Sequence, residues 1–333
     1  MTSVATTRPA AAGARAADAG PVGVGGGTVR SEVIEEFRRH TGSQLGGLFG
    51  GAAFDQVALP AVAAAVDRTG RFAENFSDRG VRSGLSAMLA MWGDPADRAA
   101  EAEWLKERHK DVRGRGAGAY SDIRYSALQP ENWKWIAVSG MMLSLNTFRP
   151  CTGIRMTSDE REAAYQLVRE AFADLELSGA AGKLPATVAE ADAYYEDMVE
   201  TRLASTPFLV EQFDGLTKLP MPTLGVSRSA RRVLEPIWPA VRPVVGHLIV
   251  VCSSKVMHPR VQEMTGFRLR RRHDVEFALV CAMLQTSWRL LPDRVLLLPL
   301  ARNRLEYEKL VRLHRKYALD TFAVPDGRSG CPM

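Results

Sequence analysis

Histidine is the residue type in this sequence best suited to bind a metal ion, and the chain contains six. They are His40, His109, His247, His258, His273 and His314. The sequence has no HExxH motif and no histidine pair four residues apart with a carboxylate partner, so a zinc-hydrolase or dinuclear site has weak support. A GxSxG nucleophile elbow and a phosphate-binding GxxxxGK loop are also absent. These absences leave single histidines as the candidate ligands.

His109 has the most informative surroundings of the six. Leu105 lies four residues before it and Val112 three after it, so a helix would place the imidazole on an apolar stripe. That position suits a buried ligand. It also suits a core histidine hydrogen-bonded to a carbonyl, which the residues alone favour because buried polar groups commonly find such partners. His247, in another apolar run, is the rival candidate.

A second constellation precedes His109. Arg79, Arg82 and Ser83 occupy positions i, i+3 and i+4, which share one face of a helix. Apolar residues follow at core-like spacing, so this helix is expected to be buried while carrying two guanidinium groups near its start. The group is either a solvated first turn or a site that binds carboxylates, such as porphyrin propionates, or polarises a ligand.

Taken in order, these residues resemble the MpaB/rubber oxygenase catalytic-domain family of helical b-type heme proteins. The family includes latex-clearing proteins and the enzyme that shortens the mycophenolic acid side chain. Asp78-Arg-Gly-Val-Arg82-Ser83 with Gly93 resembles the family's Arg-x-x-Arg/Lys-Thr helix and its terminal Gly. His109-Lys-Asp-Val-Arg-Gly114 resembles its His-x-x-Val-x-Gly motif. Later matching segments are Tyr125-Ser-Ala, Pro130-Glu131, Trp135, Thr152-Gly-x-Arg155 and the stretch from Pro259-Arg260 to Gly266-Phe267, so the resemblance covers about residues 33 to 300.

The resemblance implies that His109 is the proximal ligand of a heme iron and that Arg79, Arg82 and Ser83 line the opposite, distal face. In rubber oxygenases a lysine stands at the position of Arg82. Arginine stays protonated and is a poor iron ligand, so the sixth coordination position is expected to be open to dioxygen or peroxide. Ser83 keeps the hydroxyl of the family's threonine and loses its methyl group.

The acidic base proposed for rubber cleavage has no counterpart at the expected place. The corresponding helix, around Val62 and Ala63, is apolar, and Glu74 and Asp78 are the nearest acids.

The function that the resemblance implies is a heme-b-dependent oxygenase or oxidoreductase that acts on a small lipophilic metabolite, as in natural-product biosynthesis. Alkene cleavage, hydroxylation, desaturation and oxidative coupling are all compatible with this fold and cofactor. Two alternatives remain open: a heme-binding or sensing module without turnover, and a heme-free helical ligand-binding protein.

Hydrophobic periodicity and helix start signals predict an all-α fold of about ten helices without strands. With the resemblance, this becomes one globular domain over residues 31–320, a globin-like core with extra helices that enclose a heme pocket. Residues 1–30, rich in Ala and Gly, are predicted to be a disordered tail, and residues 321–333 a C-terminal tail. The predicted helical runs are 79–92, 95–112, 130–148, 158–174, 187–204, 228–256, 273–290 and 301–317. Prolines 236, 239 and 243 are expected to divide the run 228–256.

Composition excludes a disordered, a collagenous and a disulfide-stapled chain. The 333 residues are 46% hydrophobic and 24% charged, as in soluble globular proteins. The net charge of +5 is dispersed apart from Arg268 and residues 270–272, so no nucleic-acid partner is expected, although that basic turn could meet an acidic redox partner. The absence of a signal-peptide pattern and of a long apolar run predicts a cytoplasmic protein without stable membrane insertion.

Overall fold

The computed structural model describes residues 29–68, 76–221 and 227–319, and this part of the chain contains fourteen α-helices. The predicted all-α fold is therefore confirmed. The helices are α1 (Ser31–Thr41), α2 (Pro60–Asp67), α3 (Phe76–Trp92), α4 (Pro95–His109), α5 (Pro130–Thr152), α6 (Ser158–Phe172), α7 (Val188–Thr201), α8 (Pro207–Gly215), α9 (Arg228–Leu234), α10 (Trp238–Val256), α11 (Pro259–Met264), α12 (Arg271–Leu290), α13 (Asp293–Leu296) and α14 (Pro299–His314). A 3₁₀ segment, Gln44–Ala58, joins α1 to α2, and a π-helical turn, Arg315–Leu319, follows α14.

Proline sets the start of many of these helices. A proline at the first helical position lacks an N–H group that would be unpaired there anyway, and its φ angle already suits the helix. Helices α2, α4, α5, α8, α11 and α14 begin in this way, at Pro60, Pro95, Pro130, Pro207, Pro259 and Pro299. Local sequence therefore fixes these boundaries.

The structure corrects the sequence prediction at three places. The fold has strands after all: β1 (Arg113–Arg115) and β2 (Arg124–Ser126) form an antiparallel hairpin, and strands of three residues are too short to show an alternating pattern. Helix α4 ends at His109, three residues before the predicted end of its run. The run 228–256 is broken only around Pro236, because Pro239 and Pro243 lie within the first turns of α10.

Helix α5 forms the centre of the molecule. Its buried side chains include Trp135, Met141 and Phe148, and it packs against α6, α7, α12 and the 3₁₀ segment. The helix ends at Gly153, whose φ of 78° is the left-handed conformation that glycine adopts at low cost. Of the helices that carry the predicted site, α3 packs against α4, α6 and α14.

Candidate functional site

Helices α3 and α4 form an antiparallel hairpin closed by Gly93. A Cβ at this position would lie 2.6 Å from the carbonyl oxygen of Leu89, so the turn requires glycine. Ser86 on α3 donates a hydrogen bond to the carboxylate of Glu101 on α4. Two helical turns farther from the closed end, the same pairing brings Arg79 to the level of the last turn of α4, which contains His109. Arg79 and His109 therefore lie at similar levels near the open end of the hairpin, and the described contacts include none between them.

His109 is the last residue of α4 and is half-buried. Its Nδ1 lies 2.7 Å from the carbonyl oxygen of Leu105, one turn earlier in the same helix. A carbonyl oxygen can only accept a hydrogen bond, so Nδ1 carries the ring proton and Nε2 carries the lone pair. Among the described residues, none hydrogen-bonds to this Nε2. The ring is therefore held in the tautomer that ligates a metal through Nε2.

Trp133 fixes the orientation of the His109 ring, a role that the sequence analysis missed. The two rings meet edge to face with centroids 5.4 Å apart. The indole Nε1 of Trp133 donates to the carbonyl oxygen of Leu175 at 2.7 Å, which holds the tryptophan in place. The motif comparison singled out Trp135 instead, which is buried in the core and donates to Gln56. The sequence signal for this role was that Trp133 lies two residues before Trp135 in the same matching segment.

Val112 does not extend the apolar stripe of His109 as predicted, because α4 has already ended. Its backbone N–H donates to the carbonyl oxygen of His109 at 3.0 Å, and the chain then enters β1. Only Leu105 of the two predicted neighbours lies on the helix, and it contributes through its backbone carbonyl.

Arg79, Arg82 and Ser83 are all exposed on the first half of α3. The prediction that this helix is buried is wrong for this half, where Leu85 is also exposed, and holds only for the second half, where Met88 and Trp92 are buried. Partial burial of the guanidinium and the nearby charge of Arg68 both lower the pKa of Arg79. Ser77, at the start of the same helix, donates to the carbonyl oxygen of Pro220 at 2.6 Å and so ties α3 to the segment that follows α8.

The rival histidine, His247, lies in a second cluster with His273 and Glu276. Their potential ligand atoms lie within 4.8 Å of one another. The Nε2 of His247 is 2.7 Å from a carboxylate oxygen of Glu276, so this nitrogen already has a partner. The Nδ1 of buried His273 accepts the backbone N–H of Arg270 at 3.0 Å, which caps α12. The guanidinium Nε–H of Arg272 points at Nε2 of the same ring at 3.1 Å, so both ring nitrogens of His273 already face hydrogen-bond donors.

A buried carboxylate, which the sequence analysis did not find, lies in the core. Asp55 accepts hydrogen bonds from the hydroxyls of Ser139, at 2.6 Å, and Tyr195, at 2.7 Å. Burial raises the pKa of Asp55 to about 6, although both hydrogen bonds act in the opposite direction. Of the two acids that the sequence suggested, Asp78 lies on α3, whereas Glu74 is outside the described residues. No local pattern marks Asp55, because its partners come from distant parts of the chain.

Comparison with known families identifies the fold. The family model described as "ER-bound oxygenase mpaB/B′/Rubber oxygenase, catalytic domain" matches residues 38–286. The chain belongs to this family. It therefore carries an oxygenase catalytic domain, and the resemblance drawn from the motifs is confirmed. Neither the curated proteins nor the solved structures contain a significant match to the chain.

The match to the MpaB/rubber oxygenase family spans both histidine sites, so membership alone does not choose between them. The local geometry differs between the two. At His109 the engaged nitrogen is Nδ1 and Nε2 has no described partner, whereas at His247 the engaged nitrogen is Nε2 and Nδ1 has no described partner; His273 faces donors at both ring nitrogens.

Proposed function

We propose that this protein is a heme-b-dependent oxygenase of the MpaB/rubber oxygenase family and that His109 is the proximal iron ligand. One observation carries the proposal: the hydrogen bond from Nδ1 of His109 to the Leu105 carbonyl leaves the Nε2 lone pair available. A metal-bound histidine usually donates its other ring N–H to a carbonyl or carboxylate in this way. The residues present therefore fit the group that the family implies.

The proposal gives each site residue a separate task. His109 binds the iron, and Trp133 holds the imidazole in one orientation. Arg79 and Arg82 supply positive charge for a propionate or for an oxygen-bearing ligand, and the Ser83 hydroxyl can donate a hydrogen bond. When bound, the heme supplies the activation of dioxygen or peroxide.

Two exposed apolar side chains in the same part of the hairpin support the proposal of a lipophilic substrate. Leu85 follows the arginine-bearing turn of α3, and Trp104 lies on α4 between Glu101 and His109. The Ser86–Glu101 pairing sets Trp104 opposite Ser83. We therefore propose a small apolar metabolite as substrate, oxidised in natural-product biosynthesis.

The first experiment is an absorption spectrum of the freshly purified full chain with a pyridine hemochrome assay. We expect a Soret band and about one heme b per chain. Turnover of lipophilic alkenes is then measured with dioxygen and a reductant, or with peroxide. A protein that neither contains heme nor takes up added hemin would overturn the proposal in favour of a heme-free binding protein. Heme without any turnover would favour a sensing module.

A further inference from the structure

Helix α9 and the first turns of α10 expose an unusual number of aliphatic side chains. Val233 is 70% exposed and Val244 is 61% exposed. Leu234, Ile237 and Val241 are exposed between them. Large exposed apolar patches on a protein mark surfaces that bind something. We call residues 228–244 the hook.

The hook is firmly attached to the body of the protein. Its two helices meet at a bend of 92° around Pro236. At the bend, the indole Nε1 of Trp238 donates to the carbonyl oxygen of Leu219 at 2.9 Å. The second half of α10 is buried in the core, where Val251 and Cys252 are inaccessible to solvent. The exposed side chains thus project from a fixed support.

This attachment also decides how the hook can meet a membrane. Within the described residues, no single helix combines the length and apolar composition of a membrane span, although two bent pairs, the 3₁₀ segment with α2 and α9 with α10, meet these criteria jointly. Because the second half of α10 packs inside the protein, the α9–α10 pair cannot cross a bilayer. The hook can only lie at a surface.

Positive charge accompanies the exposed aliphatic side chains. The hook has one acid, Glu235, and four arginines, so its net charge is +3 (four minus one). The arginines are Arg228, Arg231, Arg232 and Arg242, and none of them forms a salt bridge with a described residue. Their long side chains can keep the charge in a polar layer while their neighbours enter an apolar one.

The combination of exposed apolar and basic side chains indicates which kind of partner the hook can bind. A second copy of the chain, docked by twofold symmetry, would bring two surfaces of charge +3 together and repel. An anionic lipid surface satisfies both features, since aliphatic side chains enter the acyl boundary and arginines meet the headgroups. We propose that the hook docks the protein on membranes that contain anionic lipids.

The chain offers a matched control surface on α12. Val275 is 61% exposed and Leu279 is 66% exposed, much like Val233 and Val244. Residues 274–290 carry Asp274, Glu276 and Arg289, a net charge of −1. With Arg271 and Arg272, which precede this range, the whole of α12 has a net charge of +1 (three minus two), so the α12 surface has the exposed aliphatic side chains with less positive charge than the hook.

The test is flotation of the full chain with vesicles of phosphatidylcholine containing about one-third phosphatidylglycerol, compared with phosphatidylcholine alone. We expect at least about tenfold more bound protein on the anionic vesicles and progressive release as salt screens the charges. Equal binding to both vesicles, or no binding to either, would overturn the proposal.

Paired variants distinguish vesicle binding by the hook from non-specific binding through any exposed apolar surface. Val233→Glu with Val244→Glu should lower vesicle binding about tenfold, whereas Val275→Glu with Leu279→Glu should change it less than about twofold. Arg231→Glu with Arg232→Glu tests the charge alone and should lower binding similarly. All substituted side chains are partly or fully exposed, and circular dichroism checks that the variants fold. Equal losses from both aliphatic pairs, or a dimer in light scattering that only the Val233/Val244 pair abolishes, would contradict lipid docking.

Discussion

His109 and His247 are both half-buried histidines on helices, and in each one ring nitrogen has a described hydrogen-bond partner, but that partner comes from different places. The helix that carries His109 also supplies its hydrogen-bond acceptor, so one nitrogen is fixed and Nε2 remains available. His247 faces Glu276, which belongs to another helix, and the neighbouring His273 caps that helix. A metal-bound histidine usually donates its other ring N–H to a carbonyl or a carboxylate, so both arrangements suit a ligand, and the motif from His109 to Gly114 is what favours His109.

The two histidines also illustrate two kinds of partly buried polar contact, one local in the chain and one long-range. The His109 contact spans four residues and is available in any helix that carries a histidine. The contact between His247 and Glu276 spans 29 residues and requires α10 and α12 to pack together. Local contacts can orient a ligand, whereas long-range contacts hold helices in place.

Replacing each histidine by alanine should give the largest effect. His109→Ala is expected to abolish stoichiometric heme binding, because α3 and α4 contain no other histidine. His247→Ala should keep about one heme per chain. The hemochrome assay on both variants measures this. Loss of heme from His247→Ala alone would show that the ligand assignment is wrong.

Arg82→Lys tests whether α3 faces the same heme as His109. A lysine amine can lose its proton and ligate iron, which a guanidinium does not do. The absorption spectrum should therefore shift toward a six-coordinate, nitrogen-ligated form in most of the population. Arg98→Lys, near the closed end of the hairpin, is the matched control and should leave the spectrum unchanged. An unaltered spectrum for Arg82→Lys would remove Arg82 from the distal face.

Asp55 provides a pH-dependent reference that touches neither histidine. Its pKa of about 6 lies above the value of about 3.9 in unfolded chains, so the folded state binds a proton first as the pH falls. Between pH 7 and pH 5 this group should add about 1 kcal/mol to the free energy of unfolding. Burial lowers the pKa of His40 to about 4, which acts in the opposite direction over this range.

The measurement is therefore a difference between two proteins. Denaturant unfolding of the wild type and of Asp55→Asn at pH 7 and pH 5 cancels the contribution of His40. The stability of the wild type relative to the variant should rise by about 1 kcal/mol at the lower pH. A difference that stays constant with pH would contradict the assigned role of burial.

Truncation at the N-terminus should have the smallest effect. Deleting residues 1–28, which lie outside the described residues, should leave heme content and Tm unchanged, because their composition predicts a tail without a core. Arg30, the last residue of the predicted tail, is different: it donates to the fully buried carboxylate of Glu160 at 2.6 Å and 2.9 Å. These contacts lower the pKa of Glu160 to about 2.

Extending the deletion through Arg30 should therefore lower Tm by a few degrees, since it leaves a buried carboxylate without its cation. Thermal unfolding of the two truncated proteins gives the comparison. A large loss of stability in the shorter deletion would contradict the tail prediction.

Much of the fold could be predicted from sequence because its signals are local. Prolines at first helical positions fixed several boundaries, and the antiparallel α3–α4 hairpin follows from two helices separated by Gly93. The β1–β2 hairpin and the 3₁₀ segment were not predictable in this way. Their residues lack periodicity, and they form because neighbouring helices hold them.

By itself, the sequence determined the family, the helical class and the residues His109, Arg79, Arg82 and Ser83 as the predicted heme site. It also predicted that Leu105 and His109 share one face of a helix, although the contact from the ring to the Leu105 carbonyl was seen only in the structure. Only the tertiary structure decided that Trp133 orients the ring, that Asp55 meets Ser139 and Tyr195, and that His247 is engaged by Glu276. Such contacts join residues far apart in the chain, and only the packing of helices brings them within hydrogen-bond distance.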